Sequence, residues 1–401
     1  MNKKPVKSAL NVMEGIEQPG QINTELVGKL KSGKRRNLSV KDFVDGILSG
    51  NRTILSKAIT LVESSLLKDQ EKAQEIIATC LKSLQPVDDT CRPLVKISDR
   101  DQNNHPASRI HFPESCILHP VSSIRVGITG VPGVGKSTFI EALGTFLTQH
   151  GHKLAVLAID PSSARTKGSI LGDKTRMEEL SVDPNAFIRP SPSAGSLGGV
   201  ARKTRETIIL CEAAGFDVIF VETVGVGQSE TAVHSMVDFF LLLMLAGAGD
   251  ELQGIKRGII EMADAIVINK ADGDNLNKAK VARMEYANAL HLFPPSGSGW
   301  IPVTDVCSSR TREGIERVWE TILTHHDLMQ KNGYLLRQRM EQNLQVLEDC
   351  IEEGLRNHFF SGKDITLAIS RARSEISKGS LSPYTAAREL LDHYFRKLKD
   401  Y

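Results

Sequence analysis

The sequence predicts an α/β fold in which helices flank a mostly parallel sheet. From residue 124 onward, short apolar runs rich in Val and Ile alternate with runs of helical periodicity. The apolar runs show no polar alternation, as expected of strands buried on both faces of a parallel sheet. Polar motifs follow the ends of these runs, and such folds bind ligands at the carboxyl ends of their strands. The predicted strands are residues 125–129, 154–159, 217–221, 239–245, 265–268 and 301–306.

Length and composition limit the class of protein. The 401 residues, 40% of them hydrophobic, are enough for two or three structural units. The 50 basic and 48 acidic residues balance, which argues against a protein that binds nucleic acid over its whole surface. Six cysteines without a C-x-x-C pair indicate a reduced protein. No apolar signal segment or membrane span is evident, so we expect a cytoplasmic protein without nucleic-acid or membrane partners.

Five regions are predicted along the chain. Residues 1–38, polar and rich in Gly, Pro and Lys, form a flexible arm, and residues 39–84 form a helical unit that begins at a Ser39–Asp42 cap. Residues 85–121 contain five prolines and little periodicity, which predicts a linker or insertion, and their Cys and His residues fit no zinc signature. Residues 122–330 form the α/β domain. The charged helices of residues 331–401 are expected to form a dimerisation arm.

A phosphate-binding loop lies between the first predicted strand of this domain and the helix that follows. Residues 130–137 match G-x-x-x-x-G-K-[ST], the P-loop pattern. Such a loop turns backbone N–H groups toward phosphates, and the helix N-terminus adds partial positive charge. Lys136 is expected to contact the β- and γ-phosphates of a purine nucleoside triphosphate. The predicted nucleotide-binding residues of the loop are Gly130, Val131, Pro132, Gly133, Val134, Gly135, Lys136, Ser137 and Thr138.

A second motif predicts that the base is guanine. Residues 269–272, Asn-Lys-Ala-Asp, end a predicted strand and match N-K-x-D. The Asp272 carboxylate can accept both N1–H and N2–H₂ of guanine, whereas adenine would leave it desolvated and unpaired. The Lys270 stem can cover the base, and Asn269 can brace the loop. GTP and GDP are therefore the expected nucleotides. The loop predicted to donate a backbone N–H to guanine O6 contains Ser308, Ser309 and Arg310.

Acidic residues at the strand ends predict a magnesium site. Glu222 and Asp160 each follow a predicted strand, and Asp173 lies in the next loop after Asp160. Mg²⁺ prefers oxygen ligands and retains several waters, so some of these groups are expected to act through water. The predicted metal ligands are Ser137, Asp160, Asp173 and Glu222.

The motifs and longer blocks together resemble the MeaB/ArgK-type P-loop GTPases, relatives of the methylmalonic aciduria type A protein. The resemblance implies a homodimeric GTPase that gates adenosylcobalamin loading into methylmalonyl-CoA mutase, or a close relative, and helps eject damaged cobalamin. It implies metal or switch positions for Asp160, Asp173 and Glu222, and a mobile segment that includes Lys256. The matching blocks are residues 130–138, 156–163, 168–177, 187–192, 195–199, 222–230, 247–256 and 269–272.

Phosphoryl transfer to water needs positioning and charge neutralisation more than covalent chemistry. Gly225 can place its N–H near the γ-phosphate, and Gln228 is a candidate for orienting the attacking water. No side chain is an obvious strong base, which agrees with slow hydrolysis that a partner completes. The predicted catalytic residues are Lys136, Glu222, Gln228 and Lys256.

Three alternatives stay open at the level of sequence. A metal-delivery GTPase of the urease or hydrogenase maturation type shares this fold, but it would be expected to carry a His-rich tract or clustered Cys. A small-molecule kinase of amino-acid transport would need an acceptor pocket and a base. A scaffold that binds GTP without hydrolysing it is disfavoured by intact Lys136, Ser137 and Glu222.

Overall fold

The computed structural model describes residues 38–84, 94–97, 108–111, 123–160, 177–192, 197–223, 229–247, 257–293 and 297–399. Three helices come first: α1 (Val40–Leu48), α2 (Arg52–Glu63) and α3 (Leu67–Leu84). α1 begins with a capping box in which the Asp42 N–H donates to Ser39 Oγ and the Ser39 N–H donates to the Asp42 carboxylate. The predicted helix start is therefore confirmed. Within the described ranges, no helix is long and apolar enough to cross a membrane.

A short antiparallel pair of strands follows, β1 (Leu94–Ile97) with β2 (Ser108–His111). The sequence interpretation of residues 85–121 missed this pair. Each strand has four residues, too few for a periodic pattern to stand out. The prolines of the segment lie outside both strands, because proline cannot donate to a strand ladder.

Seven parallel strands form the central sheet, and its order is β5-β4-β6-β3-β7-β8-β9. The predicted parallel sheet is thus confirmed, with six of its strands found near their expected positions. β5 was missed because two prolines interrupt its apolar run, and the sheet edge is where a strand tolerates them. The strands are β3 (Ile124–Gly130), β4 (Leu154–Asp160), β5 (Ala186–Pro192), β6 (Val218–Thr223), β7 (Phe239–Leu245), β8 (Ala265–Asn269) and β9 (Val303–Val306).

Helices cover both faces of this sheet. Successive side chains of a strand point to opposite faces, so Val218 and Phe220 of β6 pack beneath one helical layer and Ile219 and Val221 beneath the other. The first layer contains α4, α5 and α10, and the second contains α6, α7 and the three N-terminal helices; α8 and α9 cover β7 and β8. These helices are α4 (Lys136–Gln149), α5 (Glu178–Val182), α6 (Leu197–Ala213), α7 (Ser229–His234), α8 (Arg257–Met262), α9 (Leu276–Leu290) and α10 (Ile315–Lys331).

The N-terminal helices share a core with the α/β domain. Phe43, Leu55 and Ile76 belong to the same buried cluster as Leu210 of α6 and Ile219 of β6. The apolar faces of these helices therefore pack in the layer that contains α6, and this burial stabilises them.

Three helices end the chain: α11 (Tyr334–Ser361), α12 (Lys363–Ser377) and α13 (Pro383–Lys399). α11 has 28 residues, and Leu335, in its first turn, is its one buried residue. Polar groups join the rest of α11 to the α/β domain, while several of its apolar side chains are exposed.

Candidate functional site

The phosphate loop connects β3 to α4 and depends on glycine at each turn. A Cβ at Gly130 would lie 2.4 Å from the carbonyl oxygen of Leu243, so no side chain fits there. Gly133 and Gly135 have φ angles of +79° and +91°, in the left-handed region that other residues avoid. Gly135 precedes α4 and offers no side chain to cap it, which leaves the first N–H groups of the helix to a ligand.

The ammonium group of Lys136 lies inside this loop, where its Nζ donates to the Gly130 carbonyl at 3.0 Å. Burial lowers the pKa of Lys136, and the nearby carboxylates of Glu222 and Glu230 act in the opposite direction. The loop therefore holds a partly desolvated cation whose present partners are a carbonyl and two acidic neighbours. A phosphate oxygen is a stronger acceptor than that carbonyl.

The side chains of Ser137 and Glu222 meet at the same point. Ser137 Oγ donates to Glu222 Oε1 at 3.5 Å, and Glu222, on β6, is 7% exposed. Neighbouring ligands of an octahedral Mg²⁺ are ~3 Å apart, given Mg–O distances of about 2.1 Å. The pair therefore fits Mg²⁺ with small adjustment. The described ranges contain no cluster of three or more His, Cys, Asp or Glu that could hold a metal without further ligands.

The guanine motif lies directly against the phosphate loop. Asn269 Nδ2 donates to the Val134 carbonyl at 2.9 Å, and Lys270 Nζ donates to the Gly133 carbonyl at 2.8 Å. Lys270 itself has a φ of +58°, which lets its stem turn back over the loop. Two motifs that are more than 130 residues apart in sequence are thus joined by two hydrogen bonds.

The loop after β9 orients the two polar side chains of the guanine motif. Asn269 Oδ1 accepts from the N–H of Ser309 at 3.1 Å and from its hydroxyl at 2.8 Å. Ser308 Oγ donates to Asp272 Oδ2 at 2.5 Å, and the Ser308 N–H donates to the Glu313 carbonyl. The backbone N–H groups of Ser308 and Ser309 are therefore engaged within the protein. The N–H of Arg310 is the remaining candidate of the three predicted for guanine O6.

Several predicted site residues lie outside the described residues: Asp173, Gly225, Gln228 and Lys256. Asp160 is the last residue of β4, which ends beside β6, but its side chain is not among those described. Their roles stay predictions.

Glu230 is a site residue that the motifs did not single out. It lies in the first turn of α7, is 4% exposed, and its charge acts on Lys136. α7 can lie close to β3 because Gly127 of β3 has no side chain. A Cβ there would lie only 2.8 Å from Val233 Cγ1. The sequence offered one signal for Glu230, its position at the end of the matching block 222–230. That signal does not predict proximity to Lys136, which results from the packing of α7.

This combination defines the class of protein. A parallel sheet carries a phosphate loop after β3, an Mg²⁺-compatible pair at β6 and a guanine motif after β8, which together make a guanine-nucleotide site of the P-loop NTPase type. A family model described as methylmalonyl Co-A mutase-associated GTPase MeaB matches residues 99–364. The chain belongs to this family of GTPases, as its sequence resemblance predicted.

Similar proteins span most of the chain. A putative GTPase of Caulobacter vibrioides is 44% identical over 354 residues, covering 88% of this chain and 97% of the relative. GTPase ArgK of Escherichia coli is 47% identical over 269 residues, with 67% and 81% covered. A mitochondrial methylmalonic aciduria type A homolog of Mus musculus is 44% identical over 355 residues, with 87% and 79% covered. A solved structure of a protein named LAO/AO transport system kinase is 33% identical with a TM-score of 0.63, covering 88% of this chain and 97% of its own.

Proposed function

We propose that this chain is a GTP-hydrolysing chaperone that gates adenosylcobalamin loading into methylmalonyl-CoA mutase, or a close acyl-CoA mutase, and protects that enzyme. The observation that carries the GTP site is the pair of hydrogen bonds from Asn269 and Lys270 to the phosphate loop, because they bring base recognition and phosphate binding to one nucleotide. Membership of the MeaB family supports an association with the mutase.

Hydrolysis at this site depends on positioning and charge. Lys136 and the N-terminus of α4 bind the phosphates. The Asp272 carboxylate orients the base by accepting hydrogen bonds from N1–H and N2–H₂ of guanine. Ser137 and Glu222 would hold Mg²⁺, with Asp160 and Asp173 as further ligands, some through water. Bound Mg²⁺ would supply positive charge that stabilises the negative charge developing on the leaving GDP in the transition state. Gly225 donates its backbone N–H to the γ-phosphate.

Water activation is the weakest part of the catalytic machinery. Gln228 orients the attacking water and Lys256 stabilises developing charge, and neither is a strong base. Slow intrinsic turnover follows, and we expect the mutase to accelerate it by positioning Gln228 and Lys256. Hydrolysis of the γ-phosphate then determines when the cofactor is transferred to the mutase.

The chain acts as a homodimer through its C-terminal helices. Leu344, Leu347, Ile351 and Leu355 lie at intervals of three or four residues on α11 and are 44–62% exposed. A regular apolar stripe of this kind is typical of a helix that packs against a partner helix. The cytoplasmic location stays a prediction.

Two other functions compete with this one. Metal delivery is disfavoured because the sequence has neither the His-rich tract nor the clustered Cys expected of a metal-delivery GTPase. A transport-related kinase is suggested by the name of the similar protein of known structure, and it would transfer phosphate to an acceptor other than water. Measuring where the γ-phosphate goes separates the kinase from the GTPase.

The test combines phosphate release and cofactor loading. We expect GTP turnover to rise at least about tenfold when methylmalonyl-CoA mutase is added, as partner-completed sites do. We also expect adenosylcobalamin loading into apo-mutase to differ between GDP and a non-hydrolysable GTP analogue. Lys136→Ala should abolish both effects. The chaperone role would be refuted if GTP turnover did not change when the mutase is added and if cofactor loading were equal with GDP and with the GTP analogue. The GTPase assignment would then stand alone.

A further inference from the structure

α11 lies along α6, and polar contacts hold it there. The Arg202 Nη1 to Glu353 Oε2 distance is 3.4 Å, and the Arg205 Nη1 to Asp349 Oδ2 distance is 3.2 Å. Nearer the base of the helix, Gln342 Nε2 donates to the Val237 carbonyl at 2.9 Å. Partly exposed ion pairs contribute little each, so the outer part of α11 can leave α6 at small cost. We call these two ion pairs the α6–α11 seam.

Arg205 differs from Arg202 in having a second partner element. Its Nη2 donates to Ser235 Oγ at 2.7 Å and to the Ser235 carbonyl at 3.3 Å. Ser235 follows the last residue of α7. The Arg205 side chain is 12% exposed, and its Nε is buried without a hydrogen bond. One guanidinium therefore joins the end of α7 to Asp349 of α11.

The other end of α7 lies beside the phosphate loop. Glu230, in its first turn, is buried and acts electrostatically on Lys136. Val233 packs against β3, the strand that leads into the phosphate loop, where a side chain at Gly127 would collide with it. The six residues of α7 thus extend from the nucleotide site to the seam.

We propose that α7 and Arg205 couple the nucleotide at the phosphate loop to the Arg205–Asp349 contact that α11 makes with α6. A γ-phosphate adds negative charge next to Lys136 and repels the Glu230 carboxylate, which favours a shift of α7. Arg205 opposes that shift by holding Ser235, and Asp349 holds Arg205. GDP lacks the γ-phosphate and causes less repulsion. The coupling rests on the proposed role of Lys136 in binding phosphate.

Coupling between two sites is reciprocal, so breaking the Arg205–Asp349 ion pair, the part of the seam that reaches α7, must change nucleotide preference. Asp349 is half-exposed and lies on α11, away from the phosphate loop, so its substitution removes no contact to nucleotide. Asp349→Asn should lower the ratio of Kd for a non-hydrolysable GTP analogue to Kd for GDP by about fivefold, at the lower end of coupled systems. Arg205→Ala should lower it at least as much, and Asp349→Glu should keep the wild-type ratio.

Titration calorimetry with Mg²⁺ measures both constants on the full-length chain, and thermal melts check each variant's fold. Glu353→Gln is the matched control, because it breaks the other ion pair of the seam without touching α7; its ratio should stay within about twofold of wild type. An Asp349→Asn ratio that is unchanged or raised, or an equal fall in Glu353→Gln, would overturn the coupling alone. A wild-type chain that binds neither nucleotide would overturn the proposed site as well.

Discussion

At the scale of single residues, Asn269 connects three loops of the site. It is 1% exposed, donates to the Val134 carbonyl and accepts from both the N–H and the hydroxyl of Ser309. Its side-chain amide thus joins the phosphate loop, the guanine motif and the loop after β9. Because each of these groups is buried, the geometry of the site depends on the Asn269 hydrogen bonds being complete.

Asn269→Ala should weaken GDP binding by roughly 10- to 100-fold, since buried partners lose about 1–3 kcal/mol when left unpaired. Titration calorimetry measures the change. Ser309→Ala is the matched control: it removes one hydroxyl and leaves the backbone N–H in place, so we expect a loss of at most about fivefold. Equal losses in the two variants would mean that Asn269 acts through Ser309 alone.

The sequence predicted that Asn269 braces the loop, but it could not predict the second brace. The loop with Ser308 and Ser309 was predicted to contact guanine through a backbone N–H, and no role was predicted for a hydroxyl. The Ser309 hydroxyl matters because β8 and β9 are paired in the sheet, which brings residues 40 positions apart into contact. Glu230 was missed for the same reason, because proximity through helix packing leaves no local pattern.

At the scale of elements, the N-terminal part of α11 is held by a buried ionic network at the amino-terminal ends of the sheet strands. Arg339 donates to the Asp238 carboxylate and to the Ser123 carbonyl, and Arg125 forms a two-point pair with Glu212. Burial alone would raise the pKa of Asp238, but Arg339 and Arg125 outweigh it and hold the pKa below its usual range. The network joins α11, α6, β3 and the start of β7.

Removing one partner from this network should strongly destabilise the fold. We expect Arg339→Met to lower the free energy of unfolding by about 3–5 kcal/mol, because it leaves the Asp238 charge buried and poorly compensated. Chemical denaturation measures it. Arg317→Ala breaks an ion pair with Asp305 in which Arg317 is 54% exposed, and it should cost at most about 1 kcal/mol. Similar losses from both variants would contradict this distinction.

Asp264, just before β8, should give the stability of the fold a pH dependence. Burial raises its pKa to about 7, although its carboxylate accepts the Phe240 N–H. The folded state therefore binds the proton more tightly than the unfolded state. The stability contributed by this group is complete below about pH 4, its unfolded pKa, and is lost as the pH rises through about 7.

Asp264→Asn removes that loss and keeps an acceptor for Phe240. The variant should gain stability relative to wild type as the pH rises from about 4 to 7. We expect the gain to reach ~2 kcal/mol. This is half the value for a fully buried group, because 27% of the Asp264 side chain is exposed. Thermal or urea unfolding at intervals across this range measures the difference. A constant difference between the two proteins would show that Asp264 does not titrate in this window.

Elements buried on both faces were the most predictable. The predicted bounds of β7 are the observed ones, because an unbroken apolar run has no other place in a layered fold. Elements without a long unbroken apolar run were harder: β5, which two prolines interrupt, and the four-residue strands β1 and β2 were missed. The periodicity of α11 predicted a helix, but its polar docking on α6 depends on partners more than 100 residues away.

At the scale of the whole molecule, the exposed stripe of α11 predicts self-association. Leu347→Glu places a charge in the middle of the stripe and should shift the molecular mass in solution from dimer to monomer, because a buried charge disfavours packing. Light scattering after gel filtration measures the mass. Glu348→Gln, on a neighbouring exposed position, should leave the dimer intact. A wild-type monomer, or a Leu347→Glu dimer, would refute the dimer arm.

The central claim is that one nucleotide is held by the phosphate loop and recognised through Asp272. Xanthine has a carbonyl where guanine has its 2-amino group, so the amide introduced by Asp272→Asn can donate to xanthine but not pair with guanine. The most direct measurement is hydrolysis of GTP, XTP and ATP by wild type and Asp272→Asn. We predict that wild type prefers GTP and that Asp272→Asn prefers XTP, with each preference roughly 100-fold. A variant that still prefers GTP, or a wild type that hydrolyses ATP as readily, would contradict the account.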